Sequence, residues 1–208
     1  MALLSRLGTV AADAGSAIRA GKLRAFLAGK LRNSVWARVE KRHVLYRLDK
    51  TLLTPPRAGL DARRYKNIDA LDAKAFSESG SGGMPRQWYE DRFAEEAVLW
   101  AAVEHGDYAA FLWVVTGAAL PGWYIPLQPR DKVVYAVVTA EAFKGRGLAP
   151  DLVRAALLAE QEEGADMLVD CKVWNSSARR AFEKVGFKSF ATVPPSALKP
   201  FDGTEGQL

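Results

Sequence analysis

The stretch Lys132–Thr139, KVVYAVVT, runs into a glycine-containing turn and then a helical pattern, and this succession restricts the chain to few architectures. A near-continuous apolar run of this length is expected of a strand buried on both faces. Gly145 and Gly147 break the pattern, and residues 150–163 then carry Leu152, Val153, Ala156, Leu157 and Ala159 at helical spacing. Residues 167–173 read as another strand, residues 176–185 as a short helix and residues 187–193 as a last strand. Strand, turn, helix, strand, helix, strand predicts an α/β (mixed α+β) sheet with some parallel pairing. Upstream, residues 98–103 and 109–115 are rich in β-branched and aromatic side chains. Glu104-His105-Gly106-Asp107 between them reads as a hairpin turn.

Composition matters mainly for what it excludes. The chain has 208 residues, 49% hydrophobic and 25% charged, which suits one globular domain with an appendage rather than a disordered or collagen-like chain. A single cysteine, Cys171, excludes a disulfide framework and a multi-cysteine zinc site. His43 and His105 stand far apart in sequence, so no metal is expected. The longest apolar stretch, residues 108–120, is too short to span a bilayer as a helix, and no secretory signal pattern is present. A cytoplasmic location is therefore the expectation.

Charge is concentrated at one end. Residues 1–66 hold 15 Lys and Arg against 4 Asp and Glu, whereas the remainder holds 14 against 20. Between residues 2 and 39, two apolar stripes at helical spacing are broken by Gly8, Gly15, Gly21 and Gly29. Such a segment is either a solvated basic helix or an amphipathic surface attachment, with some transit-peptide character. Thr54-Pro55-Pro56 reads as a linker. The expected division is a basic helical extension and linker over 1–60, a domain over 61–198 and a flexible tail over 199–208. Within the domain, residues 65–68 suggest a short strand, and Asp69 suits the cap of a helix carrying Leu71 and Phe76. Residues 79–83 suggest a loop, and Pro85 the first turn of a helix through Trp88, Tyr89 and Phe93.

Lys144-Gly145-Arg146-Gly147-Leu148-Ala149 joins the buried strand to the helix. Glycines let several backbone N–H groups point at one ligand, the helix N-terminus adds a favourable dipole, and Lys144 and Arg146 add charge. An ordinary strand–helix turn would also use two glycines. The turn lacks the Gly-Lys-Ser/Thr of a nucleotide-binding loop and the three-glycine dinucleotide pattern.

Residues 137–149, VVTAEAFKGRGLA, resemble the acyl-CoA motif of the GCN5-related N-acetyltransferases, with Lys144 in place of the usual Gln or Arg and Gly147 and Ala149 following in register. Farther on, Asn175, Ala178, Phe182-Glu183-Lys184 and Gly186-Phe187 are similar to that family's second motif. The resemblance extends from about residue 63 to 193 and does not include residues 1–60.

It implies a GNAT-like fold and acetyl transfer from acetyl-CoA to a primary amine by direct attack. Gly145, Arg146, Gly147, Leu148 and Ala149, with Lys144, would hold the pyrophosphate. Val137, Val138 and Thr139 would pair with the pantetheine arm, a backbone N–H near Val138 polarising the thioester carbonyl. Asn175 would bond CoA or cap the following helix, or both. Phe182 stands where many relatives have a proton-donating Tyr, so either Tyr135 or water would act as the acid, or thiolate release would be unassisted. Asp131 and Glu141 are candidate bases, or solvated charges at a strand end. Trp88, Tyr89, Trp113, Trp123, Tyr124 and Trp174 would line an acceptor pocket or belong to the core, and Cys171 reads as core. The rival reading is a non-catalytic CoA-binding or adaptor protein. Expected partners are acetyl-CoA, an amine and, through residues 1–60, an anionic membrane surface or acidic protein. A homodimer is open, and nucleic acid is not expected.

Overall fold

The computed structural model describes residues 40–72, 76 and 86–197. The stripes expected over 2–39, the loop at 79–83 and the tail at 199–208 lie outside the described residues. The elements in chain order are β1 (His43–Leu48), β2 (Asp61–Tyr65), α1 (Arg86–Ala94), β3 (Val98–Glu104) and β4 (Asp107–Thr116), followed by β5 (Lys132–Thr139), α2 (Leu148–Glu160), β6 (Met167–Lys172), α3 (Ser176–Val185) and β7 (Phe187–Val193). The strands form one mixed sheet in the order β2-β3-β4-β5-β6-β1-β7.

Strands β2 to β5 are an antiparallel meander, and β5 pairs in parallel with β6 through the crossover helix α2. Side chains alternate across the sheet, so neighbours in sequence serve different cores. Tyr46, Leu112 and Val134 pack beneath α2 and α3 with Leu152 and Phe182. Leu45, Trp113 and Val133 pack on the opposite face with Tyr89 of α1. Helix α2 buries Leu148, Leu152, Val153, Ala156 and Leu157, an apolar stripe of period 3.6. Asn175 caps α3 by accepting from the Ala178 amide at 3.1 Å. Gly186, at φ 115°, ends α3 and donates to the carbonyls of Glu183 and Phe182.

Three expectations need correction. The domain does not begin at residue 61. Strand β1 lies inside the sheet, antiparallel to both β6 and β7, and its Leu45 and Tyr46 are fully buried. One compact unit spans Arg42 onward, so the linker at Pro55-Pro56 joins two parts of one sheet. HVLYRL carries a strand's apolar run, but the basic residues around it hide it. The second correction concerns β5, which is deeply buried only at Val133 and Val134 and half-exposed or exposed over residues 135–139. The third is small: near the expected cap at Asp69, the side chain that accepts from the Ala70 amide is that of Asn67.

Candidate active site

The loss of burial along β5 has a backbone cause. Pairing with β6 covers only Lys132, Val133 and Val134, whereas pairing with β4 continues to Thr139. Between them Ala136 adopts φ 48°, and the β4–β5 register shifts between Phe111 and Trp113. A left-handed residue within a strand is a bulge, and a bulge bends the strand that carries it. Here β5 parts from β6, and residues 135–139 keep one backbone edge without a neighbouring strand.

A cleft of about 700 Å³ opens beside that edge. Its walls are the end of β5, the turn before α2 and one face of α3. Val137, Val138, Thr139, Lys144, Gly145, Gly147, Leu148, Ala149, Asn175 and Phe182 all line it, so ten of the eleven expected binding residues meet in one place. Gly145 and Gly147 have φ of 81° and 79°, and a Cβ added to either would meet no atom within 4 Å. Their conformation therefore needs glycine although space does not. Gly147 is the N-cap of α2, so the amides that follow have no carbonyl within the helix to bond.

Arg146, the eleventh expected residue, turns away. Its guanidinium bonds Glu104 at 3.2 Å and the Ala142 carbonyl at 3.1 Å, and stacks 5.0 Å from the centre of the Phe143 ring. Sequence reasoning passed over Ser177, Arg180 and Lys184, which line the cleft from α3. The signal was available, because positions 177, 180 and 184 fall on one helical face. Phe182 also packs inward, 6.1 Å from the Tyr46 ring and 5.9 Å from the Phe187 ring.

Neither candidate base reaches the cleft. Asp131 is 6% exposed, and both its carboxylate oxygens accept backbone amides, from Gln128 at 2.7 Å and from Asp166 at 2.9 Å. It precedes the paired end of β5, seven residues before Val138, which is roughly 20 Å along a strand. It clamps two loops rather than taking a substrate proton. Glu141 is exposed and ion-paired with Lys144, so its carboxylate offsets the charge of the turn.

Tyr135 lies on the opposite face of the sheet from the helical wall of the cleft. Its ring stacks on Trp113 at 6.4 Å, and the Arg92 guanidinium is 6.0 Å from its centre. Burial pushes its phenol well above the ordinary value, with Arg92 opposing the rise, so it keeps its proton. Trp88, Tyr89 and Trp113 cluster beside it, and the buried Tyr89 Oη, Trp113 Nε1 and Arg92 Nε have no hydrogen-bond partner among the described residues. Trp123 packs against Tyr124 beyond them, while Trp174 stays half-buried outside both core clusters. Cys171 is buried, and burial raises its thiol to about 12, which leaves it a core residue without thiolate character. Among the described residues no group of three or more His, Cys, Asp or Glu could hold a metal, and no helix is long and apolar enough to cross a membrane.

Residues 115–193, from the end of β4 to the end of β7, match the family described as FR47-like protein. Mycothiol acetyltransferase of Corynebacterium aurimucosum is 31% identical over 112 residues, covering 50% of this chain and 33% of that protein. A GNAT-family acetyltransferase from Novosphingobium aromaticivorans shares the fold with a TM-score of 0.53 at 18% identity, over 73% of this chain and 61% of that one. A second, from Colwellia psychrerythraea, does so at 0.54 and 16% identity, over 74% and 54%. The fold is that of the GCN5-related N-acetyltransferases. The chain spans about a third of the length of the curated relative it matches. The residues on which the sequence resemblance rested, 137–149 and 175–187, form the end of β5, the turn before α2, and α3.

Proposed function

We propose that this chain binds acetyl-CoA in the β5–α2–α3 cleft and transfers the acetyl group to a primary amine by direct attack. The observation that carries the reading is the meeting of an open strand edge with an uncapped helix N-terminus in one basic cleft. Amides from Gly145 to Ala149 suit a pyrophosphate. Lys144, Arg180 and Lys184 add cationic charge around it. The open edge of residues 135–139 suits the amides of a pantetheine arm, which would pair with it as a strand does. A backbone N–H near Val138 would then face the thioester carbonyl and stabilise the oxyanion as it forms. Tyr135, held protonated, is the group suited to donate a hydrogen bond to the departing thiolate. Phe182 supplies packing and no proton.

Gly147→Glu tests the cleft. A side chain there projects into the space assigned to pyrophosphate, and a carboxylate repels it. Calorimetric titration should detect no acetyl-CoA binding, while the circular dichroism spectrum is retained. Gly147→Ala separates the two effects, since it adds only the left-handed strain of about 1–2 kcal/mol and no charge. Full acetyl-CoA affinity in a folded Gly147→Glu protein would place the ligand elsewhere.

A further inference from the structure

The parting of β5 and β6 opens onto two faces of the sheet. One carries the cleft and the other carries Tyr135. Register fixes what borders the opening on that second face. The last parallel pairs are Val133 with Leu168 and Val134 with Val169, so Asp170 is the residue that would oppose Tyr135 if the ladder continued. Asp170 accordingly lies at the mouth of the opening, on the Tyr135 side. Strand β1 flanks β6 and brings His43 to the same face as its neighbour Leu45, which pairs with Asp170.

His43 Nδ1 lies 2.5 Å from Asp170 Oδ2, and the Tyr124 hydroxyl is 3.0 Å from the same nitrogen. The Tyr124 phenol is raised by burial first and by the Asp170 charge second, so it keeps its proton. A carboxylate can only accept, which puts the proton of a neutral His43 on Nδ1 and the lone pair on Nε2. No described residue bonds Nε2. The His43 and Asp170 side chains are 13% and 18% exposed, so the pair is sheltered without being sealed. Asp131 and Glu141, meanwhile, are committed elsewhere.

We propose that His43 is the general base of the transfer, with Asp170 and Tyr124 as positioning residues; this rests on acetyl-CoA occupying the cleft. The acyl group enters the opening from the α2–α3 side and the amine from the Tyr135 side. The amine nitrogen forms the C–N bond, the C–S bond breaks, and the electron pair leaves on the CoA sulfur. The proton lost by the amine nitrogen passes to His43 Nε2, directly or through one water, and thence to solvent. The thiolate is protonated from solvent or through Tyr135. Strand β1 thus supplies a catalytic residue from a part of the chain that both sequence motifs leave out.

Two measurements on the full chain test this. In long-range ¹H–¹⁵N spectra of histidine-labelled protein at neutral pH, His43 should be the Nδ1–H tautomer. The exposed His105, the one other histidine, serves as the solvent reference. An Nε2–H tautomer at His43 overturns the assignment whatever substrate is used. Separately, His43→Gln should lower kcat for thiol release from acetyl-CoA, measured across a panel of primary amines, by about 10²- to 10⁴-fold. Its acetyl-CoA Kd should stay within about two-fold. Asp170→Asn should shift the tautomer ratio at His43 as well as the rate. Unchanged turnover in His43→Gln, or tight acetyl-CoA binding by the unaltered protein with no turnover of any amine, sinks the base alone. Failure of the unaltered protein to bind acetyl-CoA at all defeats the cleft reading and the base together.

Discussion

Asp131 illustrates how a residue in the right sequence position can do different work. Its side chain holds the Gln128 amide and the Asp166 amide, and its own carbonyl accepts from Gly117 at 2.7 Å. Three segments are thereby tied together before β5 enters the sheet. Asp131→Asn keeps one acceptor oxygen and turns the other position into an N–H2 facing a backbone N–H. A buried donor without an acceptor costs about 1–3 kcal/mol. The expected result is a lower urea midpoint with an unchanged m-value, and a turnover number per folded molecule equal to that of the unaltered protein. A hundredfold fall in kcat at full stability would return Asp131 to the role of base. His43 illustrates the converse. As a lone histidine it carries no sequence signal, because its partners Asp170 and Tyr124 are 127 and 81 positions away. Only the sheet brings the three together.

At the level of elements, α2, α3 and the glycine turn were legible because each is a local pattern. Periodicity gives α2 its buried stripe, Asn175 and Gly186 punctuate α3, and Gly145 and Gly147 mark positive φ. The bulge in β5 was not legible. KVVYAVVT reads as a regular doubly buried strand, and alanine at position 136 gives no hint of a left-handed residue. That strain is a reservoir of about 1–2 kcal/mol set against the pairing of β5 with β4. It makes a prediction of opposite signs. In a regular strand Ala136→Val would stabilise and Ala136→Gly would destabilise. At φ 48° the order reverses: Val should cost more than 1 kcal/mol, whereas Gly should be neutral or stabilising by about 0.5–1 kcal/mol. Residue 136 is exposed, so burial does not blur the comparison. Urea denaturation of the two variants decides it. A stabilising valine would mean that β5 runs straight and the opening beside it has another cause.

The whole molecule depends on a strand that chain order conceals. β6, α3 and β7 follow one another in sequence, yet β1 lies between β6 and β7, with five registered pairs to one and six to the other. The motifs that carry the family resemblance begin some ninety residues later, so they carry no information about what completes the sheet. The apolar run in HVLYRL was the available signal, and the charge imbalance of the N-terminal third obscured it. The consequence is a sharp dependence on where the chain is cut. Starting at Arg42 retains β1. Starting at Thr54 removes Val44, Leu45, Tyr46 and Leu48 from the cores and exposes facing edges of β6 and β7. At about 1.5–3 kcal/mol for each buried side chain, the loss is roughly 6–12 kcal/mol. Typical domains have only about 5–15 kcal/mol of net stability, so the loss takes most or all of it. The unpaired edges add a site for aggregation. The fragment from Arg42 should therefore be soluble and bind acetyl-CoA, and the fragment from Thr54 should be insoluble or unfolded. A folded, acetyl-CoA-binding fragment from Thr54 would mean that β6 and β7 close on each other without β1. If that fragment, which lacks His43, also released thiol from acetyl-CoA with an amine at the full rate, the assignment of the base would not survive.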